Sequence, residues 1–192
     1  GNLNNYRINA FFNYNRLVKP NVYSQSNFGA TYQATTKKLD GFGFRLNIEP
    51  GEQNDYFESR DGRPFIYENY VSTGGWISSN YNRKFALDLR ANIGALFEKG
   101  RDLFNYDIEV EPRVRLNDKL LLIYQFYYDF TNGGRGFSTK SDDQSIFGER
   151  NRQIVTNSIS ANYAFNPYNS LVLSFRHYWD TVKYDNELFT LL

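Results

Sequence analysis

The 192-residue chain has no cysteine, no methionine, a single histidine and five prolines. Without cysteine there can be no disulfide staple and no thiolate metal site. Methionine is missing even at position 1, and "GNLNNYRINA" lacks the basic, apolar and small-residue order of a secretory leader. The native N-terminus is therefore expected to lie outside this sequence. No apolar run approaches the ~20 residues of a membrane helix, which excludes helical spans. That absence leaves a membrane β-barrel open, because its strands need only ~9–11 alternating residues each. Neither sign of charge dominates, with 22 Lys+Arg against 21 Asp+Glu, so nothing electrostatic points to nucleic acid or an anionic membrane surface.

Aromatics are abundant: 16 Tyr and 17 Phe in a chain whose mean hydropathy is −0.63. Aromatic and β-branched residues favour pleated strands, and the length suits one domain. A period of two runs along the chain. In 104–116, Phe104, Tyr106, Ile108, Val110, Pro112, Val114 and Leu116 alternate with Asn105, Asp107, Glu109, Glu111, Arg113 and Arg115. In 84–97, an apolar set from Phe85 to Phe97 opposes Lys84, Asp88, Arg90 and Asn92. Looser alternation marks 5–18, 42–50, 119–131, 150–165 and 169–184, and 27–37 and 64–81 are strand-like. These make about nine strands, several far longer than the ~5–6 residues usual in globular sheets.

Short links (37–41, 81–83, 117–118, 166–169) alternate with longer ones (18–26, 51–63, 98–102, 132–149). Outer-membrane barrels alternate short periplasmic turns with longer outer loops. The fold expected is all-β: an antiparallel transmembrane β-barrel, with residues 1–192 as one segment and about nine strands of a larger barrel present, since bacterial single-chain barrels have even strand numbers. Outer loops are expected near 51–63 and 132–149.

Two stretches carry a family likeness. "ESRDGRPFIYENYVSTGGWISSNYNRKFALDL" (58–89) and "GERNRQIVTNSISANYAFNPYNSLVLSFRHYWDTVKY" (148–184) resemble segments of a Bacteroidota family of unknown function. Its members join an N-terminal module like the family-nine carbohydrate-binding modules to a C-terminal outer-membrane β-barrel. The likeness rests on "ISS.Y.RKFALD", "R..VTNS" and "FRHYW" and covers most of 40–192. Two departures matter: the carbohydrate-binding module is absent here, and the family barrel continues with further strands. The resemblance implies location and architecture, with glycan binding through the module, and no reaction.

The chemical candidates are weak. His177, the lone histidine, could serve as general base to a serine in a barrel hydrolase, but Ser174 lies three residues away and so on the other strand face. A packed strand histidine is the plainer reading. Asp107, Glu109 and Glu111 have glycosidase-like spacing, yet Arg113 and Arg115 continue their face and Arg90, Asp88, Gln125 and Asp129 lie on neighbouring strands, so cross-strand pairing in a polar lumen suffices. Loop 132–149 lacks phosphate-loop and EF-hand spacing, leaving Asp142 and Asp143 as a weak cation contact. Tyr56, Phe57 and Arg60 offer surface recognition. No metal site, cofactor or catalytic constellation is expected.

The function expected is a bacterial outer-membrane anchor, channel or envelope scaffold, with lipid, envelope proteins and glycans as partners and no nucleic acid. Arg90, Asp107, Glu109, Glu111, Arg113, Arg115 and Arg176 would face the lumen. Tyr14, Tyr81, Phe104, Phe130, Phe165, Trp179 and Tyr184 would form interfacial girdles. The alternative is a soluble all-β carbohydrate-binding protein, and an outer-membrane hydrolase stands behind that.

Overall fold

A computed structural model of the chain describes every residue except 58–62, 68, 98–101, 142–143 and 191–192, and no side chains for 185–190. Eleven strands follow in chain order: β1 (Leu3–Leu17), β2 (Val22–Thr36), β3 (Gly41–Glu49), β4 (Gln53–Asp55), β5 (Phe65–Tyr67), β6 (Tyr70–Ser78), β7 (Phe85–Leu96), β8 (Phe104–Asn117), β9 (Leu120–Ser141), β10 (Gln144–Asn166) and β11 (Asn169–Thr190). Nine of them form one antiparallel meander in the order β1-β2-β3-β6-β7-β8-β9-β10-β11, and β4 pairs with β5 as a separate ribbon. β1 and β11 stand at the two edges of the sheet.

Side-chain chemistry closes the hairpins at one end. Asn117 Oδ1 accepts from the backbone N–H groups of Lys119 and Leu120 at 2.9 and 3.0 Å, and Asn166 Oδ1 does the same for Tyr168 and Asn169. A short asparagine side chain thus replaces a strand partner and permits a two-residue reversal. At the same end, the turn before β7 is tied to the turn before β3: Asp40 accepts from Asn80 N at 3.0 Å and pairs with Arg83 at 2.8 Å.

The other end differs from expectation in two places. The link between β1 and β2 is only 18–21, because Val22–Ser26 continue the ladder against Tyr14–Leu17. Segment 132–149, read from the sequence as a loop, is mostly strand. β9 runs on to Ser141 and β10 starts at Gln144, so the pair projects well beyond β8. Its glycines and polar residues hide the alternation, but the ladder pairs Gly136 with Gly148 and Phe137 with Phe147.

The registers put each alternating set on one face across all nine strands. One face carries Ile8, Phe44, Leu89, Ile108, Phe126, Ile159 and Phe175. The other carries Asn9, Arg45, Arg90, Glu109, Gln125, Ser158 and Arg176. No second layer packs on the apolar face among the described residues. Among the described residues the buried apolar side chains are Ala34, Ala86, Phe65 and Phe147, far too few for a water-soluble core of this size.

Phe65 and Phe147 belong to a strap over the projecting end. Gln53 in β4 accepts from Ser26 N of β2 at 2.6 Å, and its amide donates to the carbonyls of Pro50 and Gly51. Phe65, paired with Asp55 across the ribbon, lies 4.6 Å from the ring of Phe147 in β10. β2 and β10 are six places apart in the sheet, which a flat sheet would hold roughly 29 Å apart. A ribbon two strands wide reaches between them, so the sheet curls. Gln53 borders a groove with Asn13, Gln25, Asn27 and Glu49, which places the polar face on the inside of the curl.

Candidate functional site on the polar face

The polar face divides into a charged half and a neutral half. The charged half is built on β7, β8 and β9, where the strand period brings alternate residues of three strands together. Arg90 reaches Glu109 at 2.8 Å and Asp107 at 3.8 Å. Arg113 pairs with Glu111 and lies 3.5 Å from Asp88, while Gln125 donates to Glu109 at 2.5 Å. Asn92 donates to both oxygens of Asp107, at 3.0 and 2.8 Å. The acidic run is thus fully engaged by arginines and amides. Carboxylates held this way neutralise one another's partners, and neither oxygen pair is left facing a common substrate position. Further along, Arg152 forms a two-pronged pair with Asp180 at 3.1 and 2.7 Å. Arg176 shares this face and lies over the Tyr178 ring at 5.5 Å. Arg115 shares it too, exposed near the 118–119 turn.

The neutral half is built on β1, β2, β3 and β6. Asn13 donates to Asn27 at 2.8 Å, Asn27 to Asn47 at 3.0 Å, and Asn47 to Glu49 at 3.3 Å. This amide ladder crosses three strands. Beside it, aromatic rings lie against glycines of the neighbouring strand. A Cβ at Gly43 would sit 2.5 Å from the Trp76 ring nitrogen, and one at Gly29 would run into the Phe11 ring. Tyr70 covers Gly94 and donates to Asn105 at 2.5 Å. Glycine here makes room for a ring laid flat on the sheet, which restores packing that the missing side chain forfeits.

The aromatic candidates separate by strand parity. Tyr14, Phe104, Phe130, Phe165 and Trp179 are in phase with the apolar face, and Phe104 packs on Phe130 at 5.8 Å. Tyr81 and Tyr184 do not share that face. Tyr81 sits in a turn, donates to Asp88, and is capped by Arg113 at 4.2 Å. Tyr184 is in phase with Asp180, pairs with Arg150 and accepts from its guanidinium at 3.2 Å. Of the seven rings expected at an interface, five therefore share the apolar face and Tyr81 and Tyr184 do not.

His177 stands on the apolar face opposite Asn157, its ring 6.4 Å from Trp179. Ser174 is on the other face, 3.3 Å from Ser160. Tyr56 donates to Tyr23 O at 3.4 Å, and Phe57 is exposed. Arg60, Asp142 and Asp143 lie outside the described residues. Among the described residues no group of three or more His, Cys, Asp or Glu could hold a metal ion. At the short-turn end, the Arg83 guanidinium and then the Asn80 N–H hold the Asp40 carboxyl below its usual range.

Sequence reasoning missed the strap residues Gln53, Phe65 and Phe147 and the amide ladder. The asparagines at 5, 9, 13 and 15 were the available signal for the ladder. The strap had none, because its contacts join distant positions, Gln53 to Ser26 and Phe65 to Phe147.

A comparison of the chain with curated proteins and with solved structures finds no match. A family model does match, over residues 1–192, and its family is described as a domain of unknown function. The chain belongs to that family, DUF5916.

Proposed function

We propose that this chain is part of the wall of a bacterial outer-membrane β-barrel, its apolar face against lipid and its curled polar face lining a water-filled interior. One observation carries the reading: the burial pattern is inverted. In β8, Phe104, Tyr106 and Ile108 are exposed while the intervening Asn105, Asp107 and Glu109 are half-buried. Water does not stabilise a sheet that covers its carboxylates and shows it nine strands of Phe, Ile, Leu and Tyr. Lipid does, provided every backbone group is paired. An antiparallel meander meets that demand everywhere except at β1 and β11, so the full wall needs partners for those edges. The interior supports passage or anchoring, and the charge pairs across β7–β9 serve as its struts.

The two tryptophans supply the test, since Trp179 faces the apolar side and Trp76 the polar side. The protein is reconstituted in vesicles of lipids brominated along the acyl chain. In a Trp76→Phe variant, Trp179 emission is expected to be strongly quenched. In a Trp179→Phe variant, Trp76 is expected to resist bromine and to respond to aqueous iodide. Equal bromine quenching of both, or of neither, removes the membrane reading.

A further inference from the structure

We infer that the neutral half of the polar face binds an uncharged polyhydroxylated solute, a sugar or short glycan chain. The inference rests on the reading of that face as water-filled, but its test is separate.

Three features converge on this class of ligand. The first is charge. On β1, β2, β3 and β6 the polar-face positions are chiefly Asn, Gln, Ser, Thr and Gly, with Arg7, Arg45 and Glu49 the charged exceptions. Most counter-charges for an ionic solute lie on β7–β9, and there Arg90 and Arg113 are already paired with carboxylates. The second is unused hydrogen-bonding capacity. An amide has two N–H donors and an oxygen with two lone pairs. The ladder from Asn13 through Asn27 and Asn47 to Glu49 consumes one donor of each asparagine and one acceptor site of each receiver. What is left on each asparagine is a donor beside an acceptor, held in place by the ladder itself. Vicinal hydroxyls, which donate and accept at once, match that pair.

The third is ring placement. Phe11 and Trp76 are pinned with one face against glycine backbone. Trp76 remains 36% exposed and Phe11 44%, so each offers its second face to the interior. Both border a groove of about 310 Å³ that also takes in Asn9, Gln33, Arg45 and Arg90, the last already paired with Glu109. A second groove of about 300 Å³ shares Phe11 and Arg45 and continues to Tyr70 and Asn105. These volumes lie at the lower end for small-molecule sites, enough for a sugar unit each. The C–H faces of a pyranose would lie on the rings and its hydroxyl edge on Asn9, Gln33 and Asn47, the last of them the ladder's member in the second groove. Two grooves joined at Phe11 and Arg45 form a track, which suits a short chain better than a single unit.

The test uses the Trp179→Phe protein in detergent micelles, with Trp76 as the remaining tryptophan. Maltotriose, cellotriose and triacetylchitotriose are titrated, with gluconate as the charged control. A saturable change in Trp76 emission with at least one neutral trisaccharide is expected. Replacing Asn9 and Asn47, one in each groove, together with Thr, which keeps strand propensity, should raise that Kd about tenfold, the value of 1.4 kcal/mol of lost hydrogen bonding. The single variant Asn47→Thr should give a smaller rise in the same direction. No saturable response to any of the three, a response untouched by both variants, or gluconate binding as tightly as the neutral sugars would each overturn the inference. Trp179 quenching by brominated lipid is read on a different residue and face, so failure of the membrane reading and failure of this one are distinguishable.

Discussion

Ile159 and Ser160 are neighbours on β10 and face opposite sides of the sheet. Ile159 lies between Tyr124 and Phe175 on the apolar face, 50% exposed. Ser160 lies between Ile123 and Ser174 on the polar face. Seven residues separate Ile159 from the end of β10 at Asn166, so on a strand tilted by ~45° it stands roughly 16 Å above the turn, near the middle of an apolar band ~25 Å tall. Consider Ile159→Arg against Ser160→Arg. If lipid covers the apolar face, the first should cost about 2–4 kcal/mol, the depth-dependent penalty for arginine at the midplane. If water covers it, the loss is limited to cross-strand contacts with Tyr124 and Phe175, about 1 kcal/mol or less. Ser160→Arg should fall within about 1 kcal/mol of wild type either way, since a long cation can extend along a wet polar face. The assay is reversible guanidinium unfolding in lipid vesicles, read by tryptophan emission. In equilibrium constants the two variants should differ by about fivefold or more. Equal destabilisation, within about 0.5 kcal/mol, would refute the assignment of the apolar face to lipid.

Other outcomes follow from the same geometry. Arg113→Ala should destabilise by roughly 1–3 kcal/mol, because it leaves Asp88 and Glu111, both mostly shielded by their neighbours, without their cation; the same denaturant titration checks it, and a neutral result would mean that the strut is dispensable. Phe65→Ala should empty the contact with Phe147 and Tyr67 at a cost of roughly 3 kcal/mol, releasing the strap. Hydrogen exchange at Ser26 N, which Gln53 covers, should then accelerate, and unchanged protection would show that Gln53 holds alone. Asp40 has its carboxyl held below the usual value by Arg83 and Asn80. Its contribution is therefore complete above the unfolded carboxylate pKa and lost as pH falls through the lower folded value. Asp40→Asn should flatten the acid limb of the stability profile, below about pH 5, and an unaltered acid limb would contradict the pairing.

The alternation in β7 and β8 was readable from sequence, because a period of two is a local property and each strand must sort its side chains by face. The same logic located all nine strands of the main sheet. It placed Arg90, Asp107, Glu109, Glu111, Arg113, Arg115 and Arg176 on one side, and His177 with Trp179 on the other. Local pattern could not say that 132–149 is ladder, since Gly136 and Gly148 pair without announcing a face. Nor could it place Tyr81, which sits in a turn and whose partner Arg113 comes from a strand; Tyr184 follows the parity of Asp180 and Arg176, which the alternation already assigned to the polar face. The ladder of Asn13, Asn27 and Asn47, the rings laid on Gly29 and Gly43, and the strap from β2 to β10 depend on which residues of distant strands stand opposite each other. Register decides that, and register is set by the whole sheet, whereas the faces themselves were already written in the order of the residues.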